Sequence, residues 1–124
     1  KYGEICGTIF GKKLKNIDYL FGHGANAMAC QNIQESPKIP YGVVSMGSTY
    51  QGCENLKTAE TIPSSVINMD YVFSDCKNLE GTIIINANPQ SYHNWYGGEK
   101  AITITGSSKI LGELASGHSN ITIK

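Results

Sequence analysis

Met46-Gly47-Ser48-Thr49-Tyr50-Gln51-Gly52-Cys53-Glu54-Asn55-Leu56 returns as Met69-Asp70-Tyr71-Val72-Phe73-Ser74-Asp75-Cys76-Lys77-Asn78-Leu79. Methionine, an aromatic ring, cysteine, asparagine and leucine recur at a spacing of 23 residues. Such a period predicts stacked repeats, because one unit cannot bury its apolar face alone and its neighbours complete the core. Backward from Cys53 the period reaches Cys30-Gln31-Asn32-Ile33, and Ile39-Pro40 answers Ile62-Pro63. Asn16-Ile17-Asp18-Tyr19-Leu20-Phe21 reads like Asn68-Met69-Asp70-Tyr71-Val72-Phe73, but out of phase. Ile17 to Cys30 spans 13 residues where Met46 to Cys53 spans 7, which places a six-residue insertion within Gly22 to Ala29. Loops lengthen at little entropic cost, so a tolerated surface loop is the plain reading.

Forward from Met69 the period reaches Tyr92, with Trp95 and Tyr96 standing for Val72 and Phe73. No cysteine follows; Gly97-Gly98-Glu99-Lys100 takes its place. Ala101-Ile102-Thr103-Ile104-Thr105 and Asn120-Ile121-Thr122-Ile123-Lys124 alternate like strands. Between them Ile110, Leu111, Leu114 and Ala115 have helical spacing, with Ser107 or Ser108 as N-cap and Gly117 as terminator. Terminal repeats are usually atypical, and 97–124 reads as a cap.

Each unit has two halves. Ile17/Leu20/Phe21, Met46/Thr49/Tyr50, Met69/Val72/Phe73 and Tyr92/Trp95/Tyr96 fall at i, i+3 and i+4, the stripe of one helical turn. Thr49 is the polar exception. The second half is extended: Leu79 to Ile85 is rich in β-branched residues, and Leu56 to Pro63 is its weaker counterpart. Stacking then predicts a parallel sheet of about six short strands, counting Glu4 to Phe10, with short helices or turns on the other side. If Ile83, Ile85, Ile102, Ile104, Ile121 and Ile123 point inward, Thr82, Ile84, Asn86, Thr103, Thr105, Thr122 and Lys124 form the outer face. That face is neutral and Thr-rich, and it reads equally as a recognition surface or a plain solvated sheet.

The pattern is similar to the leucine-rich repeats of the BspA-like bacterial surface-protein family. The motif is carried by Met46…Tyr50…Gly52-Cys53…Leu56…Ile62-Pro63 and Met69…Phe73…Asp75-Cys76…Leu79…Ile85, and the resemblance covers 16–105. It departs in the insertion, in the missing cysteine after Tyr96, and in Asn86, which stands where the family has proline. The resemblance implies an α/β leucine-rich repeat solenoid with a helical C-terminal cap. The chain then divides into a leading strand (1–15), repeats (16–40, 41–63, 64–86), a degenerate repeat (87–105) and a helix-and-strand cap (106–124). It also implies a secreted or surface-displayed bacterial protein that binds other proteins, with no catalytic residues and no cofactor.

The 124 residues fit one domain, with ten basic side chains balancing ten acidic ones. A neutral total leaves no electrostatic footprint for nucleic acid or an anionic membrane. No apolar run approaches the roughly 20 residues of a membrane helix. The chain opens on Lys1-Tyr2-Gly3-Glu4, which is not a signal peptide and reads as a mature or excised chain.

Equivalent positions in stacked repeats point the same way, so Cys30, Cys53 and Cys76 are expected as a buried thiol column rather than as disulfides. Cys6 is expected in the core as well. Asn32, Asn55 and Asn78 are expected to hydrogen-bond the backbone at the corners. No histidine shares the cysteine column, which argues against zinc. His23, His93 and His118 have no common period and no evident acid partner, so exposed loop histidines are expected. Asp70 and Asp75 are expected at the surface. No Gly-x-Ser-x-Gly elbow and no phosphate-binding glycine fingerprint is present.

These readings predict a non-enzymatic protein-binding or surface-display module of a bacterial or phage-associated protein. A structural spacer within a longer surface protein is the second reading, and exposed edge strands could pair two copies. The third is a sugar or small-ligand platform at Tyr92–Tyr96, with His93, Asn94 and an exposed Trp95 as its surface; the phase instead assigns Trp95 to the core.

Overall fold

The computed structural model describes residues 8–9, 12–22 and 31–124. Cys6, Cys30 and His23 lie outside them, as does most of the stretch assigned to the insertion. Strands β1 (Thr8–Ile9) and β2 (Lys12–Lys13) pair antiparallel. Then come β3 (Gly81–Ile84), β4 (Ile102–Thr105), the helix α1 (Leu111–Ala115) and β5 (Ile121–Ile123). The last three strands form a parallel sheet in the order β3-β4-β5. Ile83, Ile104 and Ile123 stand in one register row, and Thr82, Thr103 and Thr122 in the next.

This corrects the expected architecture. Among the described residues there is a three-stranded parallel sheet in place of about six strands, and one five-residue helix in place of a helical face. The expected leucine-rich repeat solenoid is therefore not seen. Of the leading strand expected over Glu4 to Phe10, the described Thr8–Ile9 pairs with Lys12–Lys13 and not with the parallel sheet; the rest lies outside the described residues.

The physical reason lies in the residue two positions after each stripe's first apolar residue. Tyr19, Ser48, Tyr71 and Asn94 have φ of 59°, 56°, 57° and 45°. A left-handed residue cannot continue a right-handed helix, and the stripes that begin at Met46 and Met69 each become a pair of tight turns. Thr49 N–H donates to the Met46 carbonyl and Cys53 N–H to Tyr50; Val72 N–H donates to Met69 and Cys76 N–H to Phe73. The alternate N–H groups leave the segment altogether. Those of Met46, Ser48, Tyr50 and Gly52 donate to the carbonyls of Asn68, Asp70, Val72 and Ser74. Those of Met69, Tyr71 and Phe73 donate to Ser91, His93 and Trp95. A strand-like ladder between segments replaces the helical bonds within them.

Isolated parallel bridges carry that register through the rest of the chain: Glu35 with Thr58, Ser45 with Asn68, Ile62 with Ile85, Asn68 with Ser91 and Phe73 with Tyr96. Asn16 bridges Ser45, six residues further along than the common spacing.

The buried stripe is the one read from the spacing. Met46, Tyr50, Met69, Val72, Phe73, Trp95 and Tyr96 are buried, together with Leu56, Leu79, Ile83, Ile85 and Ile104. Leu20 is the exception, at 46% exposed, and Phe21 and Tyr92, also assigned to the stripe, are only half-buried. Each fully buried aliphatic or aromatic side chain contributes about 1.5–3 kcal/mol by leaving water. Phe21, Tyr50 and Phe73 stack with ring centroids 5.6 Å apart at each step, and Trp95 closes the row edge-on at 6.4 Å. Such pairs add about 0.5–1.5 kcal/mol each beyond their burial. Thr49 is tolerated inside because its hydroxyl is shared between the Ile17 and Met46 carbonyls at 3.0 and 2.8 Å.

Cys53 and Cys76 are buried. They donate to the Phe21 and Tyr50 carbonyls at 3.2 and 3.1 Å, across to the preceding segment. Asn55 and Asn78 bond not their own corners but the corner one segment back, the carbonyls of Gln31 and Glu54. Asn32 stands at the same phase and is exposed. In the C-terminal segment Ile110, not Ser107 or Ser108, takes the N-cap position of α1, without a side-chain cap. The Ser108 hydroxyl accepts the Ile110 N–H at 3.3 Å, while Ser107 bonds the Asn86 side chain. Gly117 follows α1 with φ 81°.

Candidate functional site

Asn16-x-Asp18 and Asn68-x-Asp70 alternate in space with Ser45-x-Gly47 and Ser91-x-His93, because the bridges set these four stretches side by side. Each asparagine Oδ1 accepts the N–H of its own aspartate, Asp18 at 2.7 Å and Asp70 at 2.8 Å. Each aspartate then reaches to the next segment. Asp18 Oδ1 accepts the Ser45 hydroxyl at 2.6 Å and the Gly47 N–H at 2.7 Å. Asp70 Oδ1 accepts the Ser91 hydroxyl at 2.6 Å and the His93 N–H at 2.8 Å, with the His93 ring Nδ1 at 3.1 Å. Asn68 Nδ2 closes the row by donating to Ser45 Oγ at 3.1 Å.

The two carboxylates are thus held rigidly through Oδ1, while Oδ2 of each makes no hydrogen bond among the described residues. Partial burial works against the charge of Asp70. The Ser91 hydroxyl and the His93 N–H and ring outweigh it and hold the carboxyl below its ordinary range. This is the reverse of a general acid, whose proton must be retained near neutral pH.

Ser91, His93 and Asp70 also fail as a nucleophilic triad. Ser91 donates its proton to the carboxylate, and both it and Asp70 approach the same ring nitrogen, Nδ1, at 3.3 and 3.1 Å. A triad needs the hydroxyl on one imidazole nitrogen and the acid on the other.

Beside this row stand two exposed rings, Tyr19 at 55% and Tyr71 at 39%. Ser48 lies between them on the middle segment and is buried. With neighbouring segments about 4.8 Å apart, the two tyrosine backbones are about 10 Å apart. Asp18, Tyr19, Gly47, Ser48, Asn68, Asp70 and Tyr71 line a shallow cleft of about 210 Å³. Gly47 forms its floor, where an added Cβ would lie 3.3 Å from Asp18 Oδ1 and 3.4 Å from Asn68 Nδ2.

The sequence-derived candidates lie elsewhere. Thr82 and Ile84 on β3 and Thr122 on β5 are exposed, while Thr103 and Thr105 on β4 and Asn86 beyond β3 are half-buried. Ile123, expected inward, is 45% exposed although Ile83 and Ile104 of its row are fully buried. β5 is the edge of the sheet, and among the described residues no further strand pairs with it.

In the Tyr92–Tyr96 loop, Trp95 is 2% exposed and donates its Nε1–H to the Leu114 carbonyl at 2.8 Å. The loop surface therefore reduces to His93 and Asn94, and no indole face is offered to a sugar. His93 does have an acid partner, Asp70, one period upstream. His118 is not a free loop histidine either, since its ring packs edge-on against Trp95 and Tyr96. Among the described residues no group of histidine, cysteine and carboxylate side chains is placed to hold a metal, and no helix is long and apolar enough to cross a membrane.

Sequence reading missed the aspartate row because it followed the apolar phase alone. The signal was present: Asn-x-Asp occurs at 16–18 and 68–70, with Ser at 45 and 91 in the same phase. No family model, curated protein or solved structure matches the chain.

Proposed function

We propose that this chain is a non-enzymatic protein-binding module that takes an extended segment of its partner along β5. The observation that carries the reading is the uncovered end of the isoleucine row, Ile123 at 45% exposure beside two fully buried neighbours. The Asn120 carbonyl and the Lys124 N–H both face β4. By the alternation of a parallel ladder, Thr122 also faces β4 and Ile123 directs its N–H and C=O outward. An added strand gains main-chain hydrogen bonds there and covers Ile121 and Ile123, the usual economy of strand addition. The Ser91–His93–Asp70 wiring supports the non-enzymatic part.

Peptides selected from a random library for binding to the full chain provide the test. They are expected to alternate β-branched and polar residues, to shift the amide resonances of 120–124, and to lose binding to Ile123→Pro. Proline at 123 removes only the outward donor and is tolerated on an edge. Binders that ignore Ile123→Pro would overturn the reading. The same uncovered row would also serve a structural spacer, with the next segment of a longer chain lying over it. A natural downstream extension that protects the Ile123 amide from hydrogen exchange would favour that alternative.

A further inference from the structure

We infer that the cleft between Tyr19 and Tyr71 is a recognition site for a cationic side chain, the guanidinium or ammonium group of arginine or lysine on a protein partner. The inference does not depend on the β5 edge.

Four observations converge on it. The cleft presents two carboxylates whose Oδ2 atoms make no hydrogen bond among the described residues. No lysine or arginine lines it, and neither aspartate forms a salt bridge with one among the described residues. The His93 ring touches Asp70 at 3.1 Å, from the far side of Asp70 relative to Gly47. Two large aromatic side chains flank the opening and stay exposed, whereas Tyr50, Phe73 and Trp95 of the ring stack are buried. The floor is kept low by Gly47 and by Ser48, which is buried and does not rise between the rings.

A cation seated there meets a carboxylate oxygen at the floor and a ring face at the rim. Carboxylate and aromatic ring both favour positive charge and both reject an anion. The carboxylates are already oriented by the Ser45, Gly47, Ser91 and His93 donors, so little ordering is needed on binding. A neutral sugar would use the same rings but gains nothing from the two negative charges. An aromatic ligand would be opposed by the cost of desolvating them. The local charge of two carboxylates in a chain of zero net charge gives the site its selectivity.

The test uses the full chain, isotope-labelled, titrated with an acetylated glycine–arginine–glycine amide and with its citrulline counterpart, which keeps the shape and loses the charge. The arginine peptide is expected to shift the amides of Gly47, Ser48 and Tyr71, and to bind more weakly as salt is raised. The citrulline peptide is expected to leave them unmoved. Asp18→Asn retains an Oδ1 acceptor for Gly47 and Ser45, and Tyr71→Asn retains a residue at ease with positive φ. Each is expected to weaken arginine binding roughly tenfold while the remaining spectrum is preserved. Equal binding of the citrulline peptide, shifts located elsewhere, or affinity unchanged in both variants would overturn the inference. A loss of binding at Ile123→Pro with the cleft shifts intact would bear only on the β5 reading.

Discussion

Tyr50 lies at 1% exposure in the ring stack, yet its hydroxyl makes no hydrogen bond. Burial pushes the phenol well above its ordinary pKa, an effect the neighbouring Ser36 hydroxyl only partly offsets. A buried donor left unmade costs about 1–3 kcal/mol, whereas the ring around it is fully useful. Tyr50→Phe is therefore expected to leave stability unchanged or raise it by up to about 1 kcal/mol, read from the urea midpoint. Tyr50→Ala should lose about 3–5 kcal/mol. Asp70 gives the opposite case, a polar atom with several partners. Its folded pKa is depressed, so its contribution to stability is present above the unfolded carboxyl pKa and is lost as pH falls through the folded value. The melting temperature of the native chain should drop through that acid window, and Asp70→Asn should flatten the drop and start lower at neutral pH. A wild-type-like acid profile for Asp70→Asn would contradict the hydrogen-bond account.

At the scale of elements, the ends of strands and the helix set contrasting tests. Gly106 ends β4 with φ 122°, and a Cβ there would collide with the Ile85 carbonyl oxygen, which also accepts the Ser108 N–H at 3.0 Å. Gly106→Ala should cost about 2 kcal/mol or more. Gly112 sits inside α1 with nothing within 4 Å of its Cβ position, so Gly112→Ala should gain about 0.5–1 kcal/mol. Thermal unfolding of the two variants checks both signs. Elements were also where sequence and structure parted. Spacing at i, i+3 and i+4 identifies which side chains are buried, and Met69, Val72 and Phe73 are all within 1% exposure. It does not identify how the backbone reaches them, because two tight turns around a left-handed residue bury the same three positions. Nothing in Gly47-Ser48 or Asp70-Tyr71 announces positive φ at Ser48 and Tyr71. The strands at Ile102–Thr105 and Ile121–Ile123 were legible because alternation is their own property. The aspartate row was legible only through polar positions at a shared phase, and the flanking tyrosines only once burial was known.

Across the described residues, one core joins the segments, from Ile17 through the ring stack to Leu114 of α1. Cys53, Cys76 and the indole sit within it. Burial pushes the Cys76 thiol well above its ordinary pKa, so neither exposure nor thiolate is available for reaction. Alkylation mapped by mass spectrometry should label Cys53 and Cys76 only at the rate of global opening. The emission of Trp95 should shift to the red in the same transition as the loss of far-ultraviolet dichroism. Rapid labelling of Cys76 under native conditions would show that the core opens locally. The bridge from Asn16 to Ser45 adds a separate property. It spans six residues more than its counterparts, yet Phe21 still meets Tyr50 at the distance at which Tyr50 meets Phe73. Neighbours are therefore indexed by their partners and not by residue count. Such a chain can accept or shed length between Gly22 and Gln31 without renumbering any contact beyond it, which makes that junction the natural place for a foreign segment to be grafted.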